Sequence, residues 1–227
     1  LAKQKKVSGI VTLPIIKKTL IENGFNYPGH TEYLGKVSKK KPLMIMLNQK
    51  LKVATLTTHI PISQITKKVT KKNLENTIQI YINSLTKDFG IINPKIAVSA
   101  LNPHSGEEGK IGKEEINIIK PVIDKFKKRG KTIYGPIPAD TMFHQDALKN
   151  IDANLCMFHD QALIPIKSSD FYGSINFTAG LPFIRTSPDH GTAFDIVGLN
   201  KANNSSLINA IKYVQMIYNQ RIKNEKK

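Results

Sequence analysis

Short apolar runs of strand length alternate along the chain with segments in which apolar residues recur every three or four positions. The first pattern favours β-strands and the second favours amphipathic helices, so their alternation predicts an α/β fold. Strands are expected at residues 7–12, 43–47, 52–57, 95–101 and 153–158, with further extended chain at 174–179 and 181–186.

The clearest helix is predicted over residues 71–88, because its apolar side chains fall on one face. Thr70 is positioned to cap its first turn, and Gly90 to end it. Further helices are expected over 14–23, from Thr31, over 113–129 with a kink at Pro121, and over 205–221, followed by a frayed tail at 223–227.

Three of the six histidines, His59, His104 and His159, directly follow predicted strands. In an open α/β sheet, ligands bind beyond the carboxyl ends of the strands. Imidazole is a common ligand of zinc-like ions, and three protein ligands with one open position form a catalytic metal site. The three histidines are therefore candidates for one shared metal. Their spacing leaves open that polar loops simply tolerate histidine, because no HxH or HExxH pattern occurs.

The chain has 227 residues and a formal net charge of +17, which raises the alternative of a basic nucleic-acid-binding protein. Only three of the 34 basic residues are arginines, and the lysines are spread along the chain in short groups. Proteins that recognise bases and phosphates favour the arginine fork, whereas a diffuse positive field steers small anionic substrates. We therefore expect a small-molecule partner and no nucleic acid.

Cys156 is the only cysteine and lies in an apolar run, which excludes an intramolecular disulfide and favours a cytoplasmic location. No apolar stretch reaches the length of a membrane-spanning helix, so no membrane partner is expected. The chain starts with Leu1 and enters a predicted strand almost at once, so we expect an N-terminal portion to be absent.

Three segments carry candidate chemistry. Residues 101–115 join a strand end to His104 and several glycines, which suits close approach of an anion but is also typical of an ordinary turn. Residues 157–167 place His159, Asp160 and Gln161 together after a strand, as functional loops do. Arg185 is suited to bidentate contact with a carboxylate or phosphate, and a surface ion pair is the equal alternative.

Seven segments, in order along the chain, resemble the family of 4-hydroxythreonine-4-phosphate dehydrogenases of pyridoxal phosphate biosynthesis. They are VTLPIIKK, PGHTEYL, TTHIPI, LNPHSGEEGKIGKEE, GPIPADT, FHDQALIPIK and GLPFIRTSPDHGTA. The resemblance implies an α/β, two-lobed fold like that of isocitrate and isopropylmalate dehydrogenases. Residues 1–180 would form the metal, substrate and dimerisation lobe. Residues 181–227 would form the C-terminal part of the cofactor lobe, whose N-terminal part is expected to be missing.

The resemblance also implies roles for individual residues. The metal ligands would be His59, His104 and His159; the substrate contacts would be His30, Thr31, Lys167, Asn176 and Arg185; and Asp195 would lie nearest the cofactor ribose. Asp140 and Asp160 are candidates for proton handling or for orienting a metal-bound histidine, although a turn or cap role is at least as plausible for each. The chain departs from the family pattern at Ile16, where members carry a polar residue before the matching Lys17.

The activity implied by the resemblance is oxidation and decarboxylation of 4-phosphooxy-L-threonine to 3-amino-2-oxopropyl phosphate. It would need NAD or NADP and a divalent metal such as zinc, magnesium or cobalt, in a homodimer that shares the site between subunits. Two alternatives stay open: a related dehydrogenase for another phosphorylated or cyclic hydroxy acid, and a fragment that folds but binds NAD poorly.

Overall fold

The computed structural model describes residues 1–27 and 29–226, apart from the side chain of Lys17, so the match of that lysine to the family motif lies outside the described residues. One eight-stranded sheet forms the centre. Its strands, in chain order, are β1 (Ile10–Val11), β2 (Leu43–Leu47), β3 (Lys52–Thr55), β4 (Ile96–Ser99), β5 (Ile133–Ile137), β6 (Ala153–Cys156), β7 (Ile175–Ala179) and β8 (Arg185–Pro188).

The strands lie in the order β1-β8-β7-β2-β3-β6-β4-β5. In one half of the sheet, β3, β6, β4 and β5 all run parallel. In the other half, β2 is antiparallel to β3 and β7, β7 is antiparallel to β8, and β8 is parallel to β1. Because parallel neighbours end at the same edge, the segments after β3, β6 and β4 leave the sheet side by side. Those segments carry His59, His159 and His104.

In the part of the chain that the structure describes, eight α-helices surround the sheet: α1 (Lys17–Glu22), α2 (His30–Ser38), α3 (Ile65–Lys68), α4 (Lys71–Phe89), α5 (Lys120–Lys127), α6 (Gln145–Leu148), α7 (His159–Ser169) and α8 (Ser205–Glu225). Short 3₁₀ helices occur at Ala2–Gln4, Ile62–Gln64, Pro103–Gly109 and Phe194–Ile196, and a π-helix at Glu115–Ile119. None of the helices within the described ranges combines the length and hydrophobicity that a membrane span requires.

Apolar clusters cover both faces of the sheet. On one face, buried side chains of α4, α5 and α8 pack against the strands, as Ile78, Ile123 and Ile217 illustrate. On the other face, α7 contributes Ala162 and Ile166 to a second cluster. Complete burial of an aliphatic side chain stabilises the fold by about 1.5–3 kcal/mol, so these clusters hold the helices in place. The second cluster is the one that positions α7 beside the strand ends.

The predicted helix at 71–88 is confirmed as α4. The Thr70 hydroxyl accepts a hydrogen bond from the Asn73 N–H at 3.3 Å, and Gly90 ends the helix in the left-handed conformation with φ 74°. Its apolar face is buried, as the spacing predicts; the residues are Leu74, Ile78, Ile82 and Leu85. The local sequence is sufficient to predict this helix because its N-cap residue, its apolar face and its terminating glycine all indicate the same bounds.

Several predicted boundaries were wrong. The first strand is confined to Ile10–Val11, the first helix begins at Lys17 and not at Pro14, and α8 continues through the expected frayed tail to Glu225. The helix expected over 113–129 is a π-helix followed by α5, with Pro121 in the first turn of α5. Proline lacks an N–H and fits the first turn of a helix, where that donor has no intrahelical partner.

The largest error concerns residues 157–167, which the sequence predicts as a strand-end loop, because from His159 onwards they form α7 (His159–Ser169). Pro165 lies inside this helix and cannot donate to the Gln161 carbonyl, so the sequence argues against a helix there. The Cys156 thiol donates to that carbonyl at 3.5 Å and replaces the missing donor. Tertiary packing of Ala162 and Ile166 against the sheet outweighs the local cost.

The expected lobe boundary at residue 180 falls between β7 and β8, which pair in the same sheet through Phe177 and Thr186. The division into two lobes therefore stays a prediction.

Candidate active site

A cleft of about 380 Å³ lies against one face of the sheet. Five of the predicted site residues line it: His30, Thr31, His59, Asn176 and Arg185. They come from α2, from the segment after β3, and from β7 and β8, so the fold brings together residues that are far apart in sequence. The sequence identified these residues one motif at a time, and the structure places them around one space.

Arg185 forms the charged floor of the cleft and is only 4% exposed. Its Nε and Nη2 donate to the Thr12 hydroxyl at 3.0 and 2.6 Å, and its Nη1 donates to the Thr178 hydroxyl at 3.0 Å. Burial lowers the pKa of Arg185 to about 10, partly offset by the negative charge of Glu32. The guanidinium remains positive at neutral pH and donates its hydrogen bonds to neutral hydroxyls, while the Glu32 carboxylate in the same cleft offsets part of its charge.

His30 and Thr31 begin α2 beside this arginine. Burial, and secondarily the positive charge of Arg185, lowers the pKa of His30 below its ordinary value of 6.5. The imidazole is therefore neutral at pH 7 and offers one donor and one acceptor. The Thr31 hydroxyl lies 3.5 Å from Arg185 Nη1. These groups surround the cleft with hydrogen-bonding capacity and a single strong positive charge.

Asn176 points to a ligand in the cleft. Its Oδ1 atom is buried and has no hydrogen-bond partner among the described residues, yet its side chain lines the cleft. An unsatisfied buried carbonyl costs about 1–3 kcal/mol, so native structures rarely keep one without a reason. A hydroxyl or ammonium group of a bound molecule would satisfy it.

His59 and His159 lie side by side, with ring centroids 5.6 Å apart. The backbone explains this. The β3–β6 ladder continues past both strands, where the N–H and hydroxyl of Thr57 donate to the Met157 carbonyl at 3.2 and 2.8 Å. Both rings are partly exposed, and His59 lines the cleft, whereas His159 lies beside it outside the lining.

His104 lies in a strained loop after β4. Six consecutive residues, 104–109, have positive φ values, and four of them are not glycine. Left-handed backbone costs non-glycine residues about 1–2 kcal/mol each. The buried Glu115 carboxylate supports the loop by accepting the backbone N–H groups of Leu101 and Asn102, both at 2.8 Å. Such supported strain is characteristic of functional loops.

The structure does not assemble the predicted three-histidine site within one chain. Among residues 1–27 and 29–226, no three His, Cys, Asp or Glu side chains are grouped closely enough to hold a metal. His59 and His159 are paired, and His104 does not complete the set. A shared metal site therefore stays a prediction, and it requires a third ligand from outside this pair.

Lys167 lies further along α7 and is paired with Asp189. Its Nζ is 2.9 Å from Asp189 Oδ2 and 3.1 Å from the Asp189 carbonyl oxygen. Burial raises the pKa of Asp189, although Lys167 acts to lower it. The backbone N–H of Asp189 donates to the Ser206 hydroxyl at 3.0 Å, which holds the backbone of this residue against α8.

The three predicted aspartates differ in position. Asp160 contacts His159, with 3.3 Å between Oδ1 and Nδ1, and can orient that ring. Asp140 is exposed in the turn after β5 and does not line the cleft. Asp195 is exposed in the 3₁₀ helix at Phe194–Ile196, away from the cleft lining.

Sequence reasoning missed several residues of the site. Glu32 lies 3.8 Å from His59 Nδ1, and Ser187 and His190 line the cleft. Asp189 is part of the segment SPDHGTA, but its pairing with Lys167 has no sequence signal. Glu32 lies within the matched segment PGHTEYL, two residues after His30, and this position was the available clue.

Comparisons with known proteins give consistent results. Residues 1–214 match the family model described as "Pyridoxal phosphate biosynthetic protein PdxA". A "4-hydroxythreonine-4-phosphate dehydrogenase" of Caulobacter vibrioides is 45% identical over 224 residues, covering 96% of this chain and 67% of that protein.

Solved structures agree. A crystal structure of 4-hydroxythreonine-4-phosphate dehydrogenase from Klebsiella pneumoniae matches with a TM-score of 0.85 and 41% identity, over 96% of this chain and 67% of that one. A terephthalate 1,2-cis-dihydrodiol dehydrogenase from Burkholderia xenovorans matches with a TM-score of 0.72 and 25% identity, over 95% and 68%. The chain spans about two thirds of the length of these proteins. The predicted α/β fold, like that of isocitrate and isopropylmalate dehydrogenases, is confirmed.

Proposed function

Because the chain belongs to the family of the pyridoxal phosphate biosynthetic protein PdxA, we propose that it is part of an NAD- and metal-dependent 4-hydroxythreonine-4-phosphate dehydrogenase. Its substrate would be 4-phosphooxy-L-threonine and its product 3-amino-2-oxopropyl phosphate. One observation carries the proposal: a single cleft is lined by five predicted site residues, one of which is the buried Arg185. Location in the cytoplasm stays a prediction.

The substrate has anionic groups at both ends, and the chain offers cations to match. Arg185 presents a fixed guanidinium in the cleft, with His30 and Thr31 beside it. Lys167 presents an ammonium that Asp189 orients. The unsatisfied Asn176 Oδ1 would accept a hydrogen bond from a substrate hydroxyl or ammonium. These contacts would fix the reacting carbon relative to the histidine pair.

The histidine pair fits a divalent metal by its donor chemistry. Two imidazoles at 5.6 Å between centroids, with one ring nitrogen of His159 in contact with Asp160, resemble half of a three-histidine site. His104 would be the third ligand. When bound, a divalent ion supplies Lewis-acid stabilisation of negative charge on a substrate oxygen. Zinc, cobalt and magnesium all remain candidates, and the nitrogen ligands favour the first two.

A second copy of the chain would complete the site. His104 does not join the His59–His159 pair within the described residues, and its loop is strained and partly exposed. The Ser105 hydroxyl of that loop is buried without a hydrogen-bond partner among those residues. A homodimer in which His104 reaches the partner's histidine pair would account for both features.

NAD, or NADP in its place, would supply the hydride acceptor. Asp195 is an exposed carboxylate that can accept hydrogen bonds from ribose hydroxyls. Oxidation of the secondary hydroxyl would release its proton to a base and produce a β-keto acid, which would then lose its carboxylate as carbon dioxide. Asp160, in contact with His159, is the candidate for handling the proton, whereas Asp140 is exposed outside the cleft lining of its own chain.

The test is to incubate the purified protein with 4-phosphooxy-L-threonine and NAD in the presence of zinc, cobalt or magnesium. NADH formation and carbon dioxide release would be followed, and substrate binding would be measured separately by calorimetry. We expect metal-dependent binding, and turnover with matched release of both products. The absence of both binding and turnover would contradict the proposal.

A second candidate is a dehydrogenase for another hydroxy acid or for a cyclic diol, favoured by the likeness to the dihydrodiol dehydrogenase of Burkholderia xenovorans. The two candidates differ in whether the substrate carries a phosphate. Assays with 4-phosphooxy-L-threonine, a phosphorylated four-carbon hydroxy acid and a cyclic cis-diol separate them. Arg185 at the floor of the cleft suits either a phosphate or a carboxylate, so the assays decide between the candidates.

A further inference from the structure

A second cavity, of about 570 Å³, lies at the edge of the sheet opposite the histidine pair. The β2–β3 turn, the end of α4 and the last turns of α8 form its walls. Lys52 lies there because it begins β3, whereas His59 follows the end of the same strand. The cavity shares no lining residue with the cleft described above.

The walls of this cavity are held by hydrogen bonds. The Tyr213 hydroxyl donates to the Asn48 carbonyl at 2.9 Å, which joins α8 to the β2–β3 turn. Asn48 Oδ1 accepts the backbone N–H of Lys50 at 2.9 Å and stabilises the turn. Arg221 Nε lies 2.7 Å from Asp88 Oδ1 in a buried ion pair that joins α8 to α4. The space is therefore preformed by links between three elements.

Lys52 provides an incompletely compensated positive charge. Its Nζ lies over the Phe89 ring, 5.9 Å from the centroid. Within the described chain it makes no salt bridge or hydrogen bond through Nζ. Burial lowers the pKa of Lys52, and the more distant Asp152 only partly offsets this. Asp152 instead accepts the backbone N–H of Lys95 at 2.8 Å.

The charges around the cavity are positive in sum. Lys52 and Lys223 line it, and the one acidic residue in its lining, Asp88, is neutralised by Arg221. Ile91 and Met216 supply apolar surface beside these charges. A partly desolvated ammonium that has no carboxylate partner is stabilised by a bound anion whose oxygens accept hydrogen bonds from it.

We infer that this cavity binds a small organic anion, a phosphate or carboxylate attached to an apolar or aromatic body. The anionic group would contact Lys52 and Lys223, and the body would pack against Met216 and Ile91. The volume of the cavity suits a molecule with one aromatic ring. The site is separate from the proposed active site, and the inference does not depend on the proposed function.

Met216 allows a direct test. The chain has five methionines, and the other four, Met44, Met46, Met142 and Met157, are buried and do not line the cavity. Labelling the methionine methyl groups with carbon-13 therefore gives one reporter of the cavity and four internal controls. The probe is phenyl phosphate, with phenol as the uncharged control.

We expect phenyl phosphate to shift the Met216 signal saturably and phenol to leave it unchanged. Lys52→Gln should weaken phenyl phosphate at least tenfold, whereas Lys212→Gln, an exposed lysine of α8 outside the cavity lining, should not. Unchanged signals of the four buried methionines would show that the variants fold. The inference is overturned if Met216 does not shift saturably, if phenol binds as tightly as phenyl phosphate, or if Lys52→Gln binds like the unmodified chain.

Discussion

Lys167 Nζ and Asp189 Oδ2 are 2.9 Å apart, and the Asp189 carbonyl oxygen lies 3.1 Å from the same ammonium. The side chains are 30% and 17% exposed, so this pair is far less solvated than the surface pairs of the chain. Two acceptors from one residue hold the lysine in one orientation. Asp189 thus positions a lysine that the family resemblance assigns to substrate binding.

The first prediction tests this positioning. Asp189→Asn keeps the shape of the side chain but removes its charge, so Lys167 loses its fixed orientation. We expect kcat/KM for 4-phosphooxy-L-threonine to fall about tenfold or more, equivalent to about 1.4 kcal/mol. Asp146→Asn is the matched control, because Asp146 pairs with Lys149 at 2.6 Å where the side chains are 76% and 70% exposed. Equal effects of the two substitutions would argue against the special role of Asp189.

The second prediction concerns the geometry of Arg185. Its Nε and Nη2 both donate to Thr12, and its Nη1 donates to Thr178. Lysine carries the same charge but lacks the planar fork, so Arg185→Lys should raise KM about tenfold or more. Arg129→Lys is the control, because Arg129 is an exposed residue over the Phe126 ring. If Arg185→Lys left KM unchanged, the positive charge alone would be sufficient for substrate binding, and the planar geometry of the guanidinium would not matter.

The third prediction follows from the pKa of His30, which burial and then Arg185 lower below 6.5. Below pH 6.5 the unfolded chain takes up the His30 proton more readily than the folded chain. The free energy of unfolding should therefore fall as the pH falls from 6.5 through the folded pKa. Urea unfolding at several pH values should show that the free energy of unfolding of His30→Gln falls less over this pH range than that of the unmodified chain. His144→Gln, which removes an exposed histidine, serves as the control.

Removing Arg185 gives an independent check on the same histidine. Since the arginine contributes to the lowered pKa of His30, the substitution Arg185→Met should raise that pKa towards its ordinary value in an NMR titration. It should not restore the value fully, because burial is the larger cause. If the pKa of His30 did not change, burial alone would account for its lowered value.

The fourth prediction concerns the loop that carries His104. Glu115 is 3% exposed and accepts the backbone N–H groups of Leu101 and Asn102. Glu115→Gln keeps one acceptor but loses the charge, so we expect a loss of about 1–3 kcal/mol in the free energy of unfolding. The exposed Glu108→Gln should change it by less than about 0.5 kcal/mol. Chemical denaturation measures both.

The sequence was a good guide where local signals agree. Thr70, the apolar stripe and Gly90 together define α4, and the strands at Leu43–Leu47 and Lys52–Thr55 match their apolar runs. It was a poor guide at α7, because Pro165 disfavours a helix and the compensating thiol of Cys156 comes from a neighbouring strand. Helix propensity is a weak prior that tertiary contacts override.

The same distinction applies to the site. The strand-end positions of His59 and His159 predict their proximity, because parallel strands end at one edge. The contacts of Arg185 with Thr12, 173 residues away, have no local signature. The pairing of Lys167 with Asp189 depends on how α7 lies against the end of β8, which periodicity does not specify.

Metal analysis provides the most direct test of the central hypothesis that three histidines share one divalent ion. The purified protein would be loaded with zinc, dialysed and measured by mass spectrometry, beside His59→Ala, His104→Ala and His159→Ala, with His144→Ala as the control. We predict one retained zinc per chain in the unmodified protein and in His144→Ala, and marked loss in each of the other three. Full zinc retention in any one of those three, or none in the unmodified protein, would contradict the account.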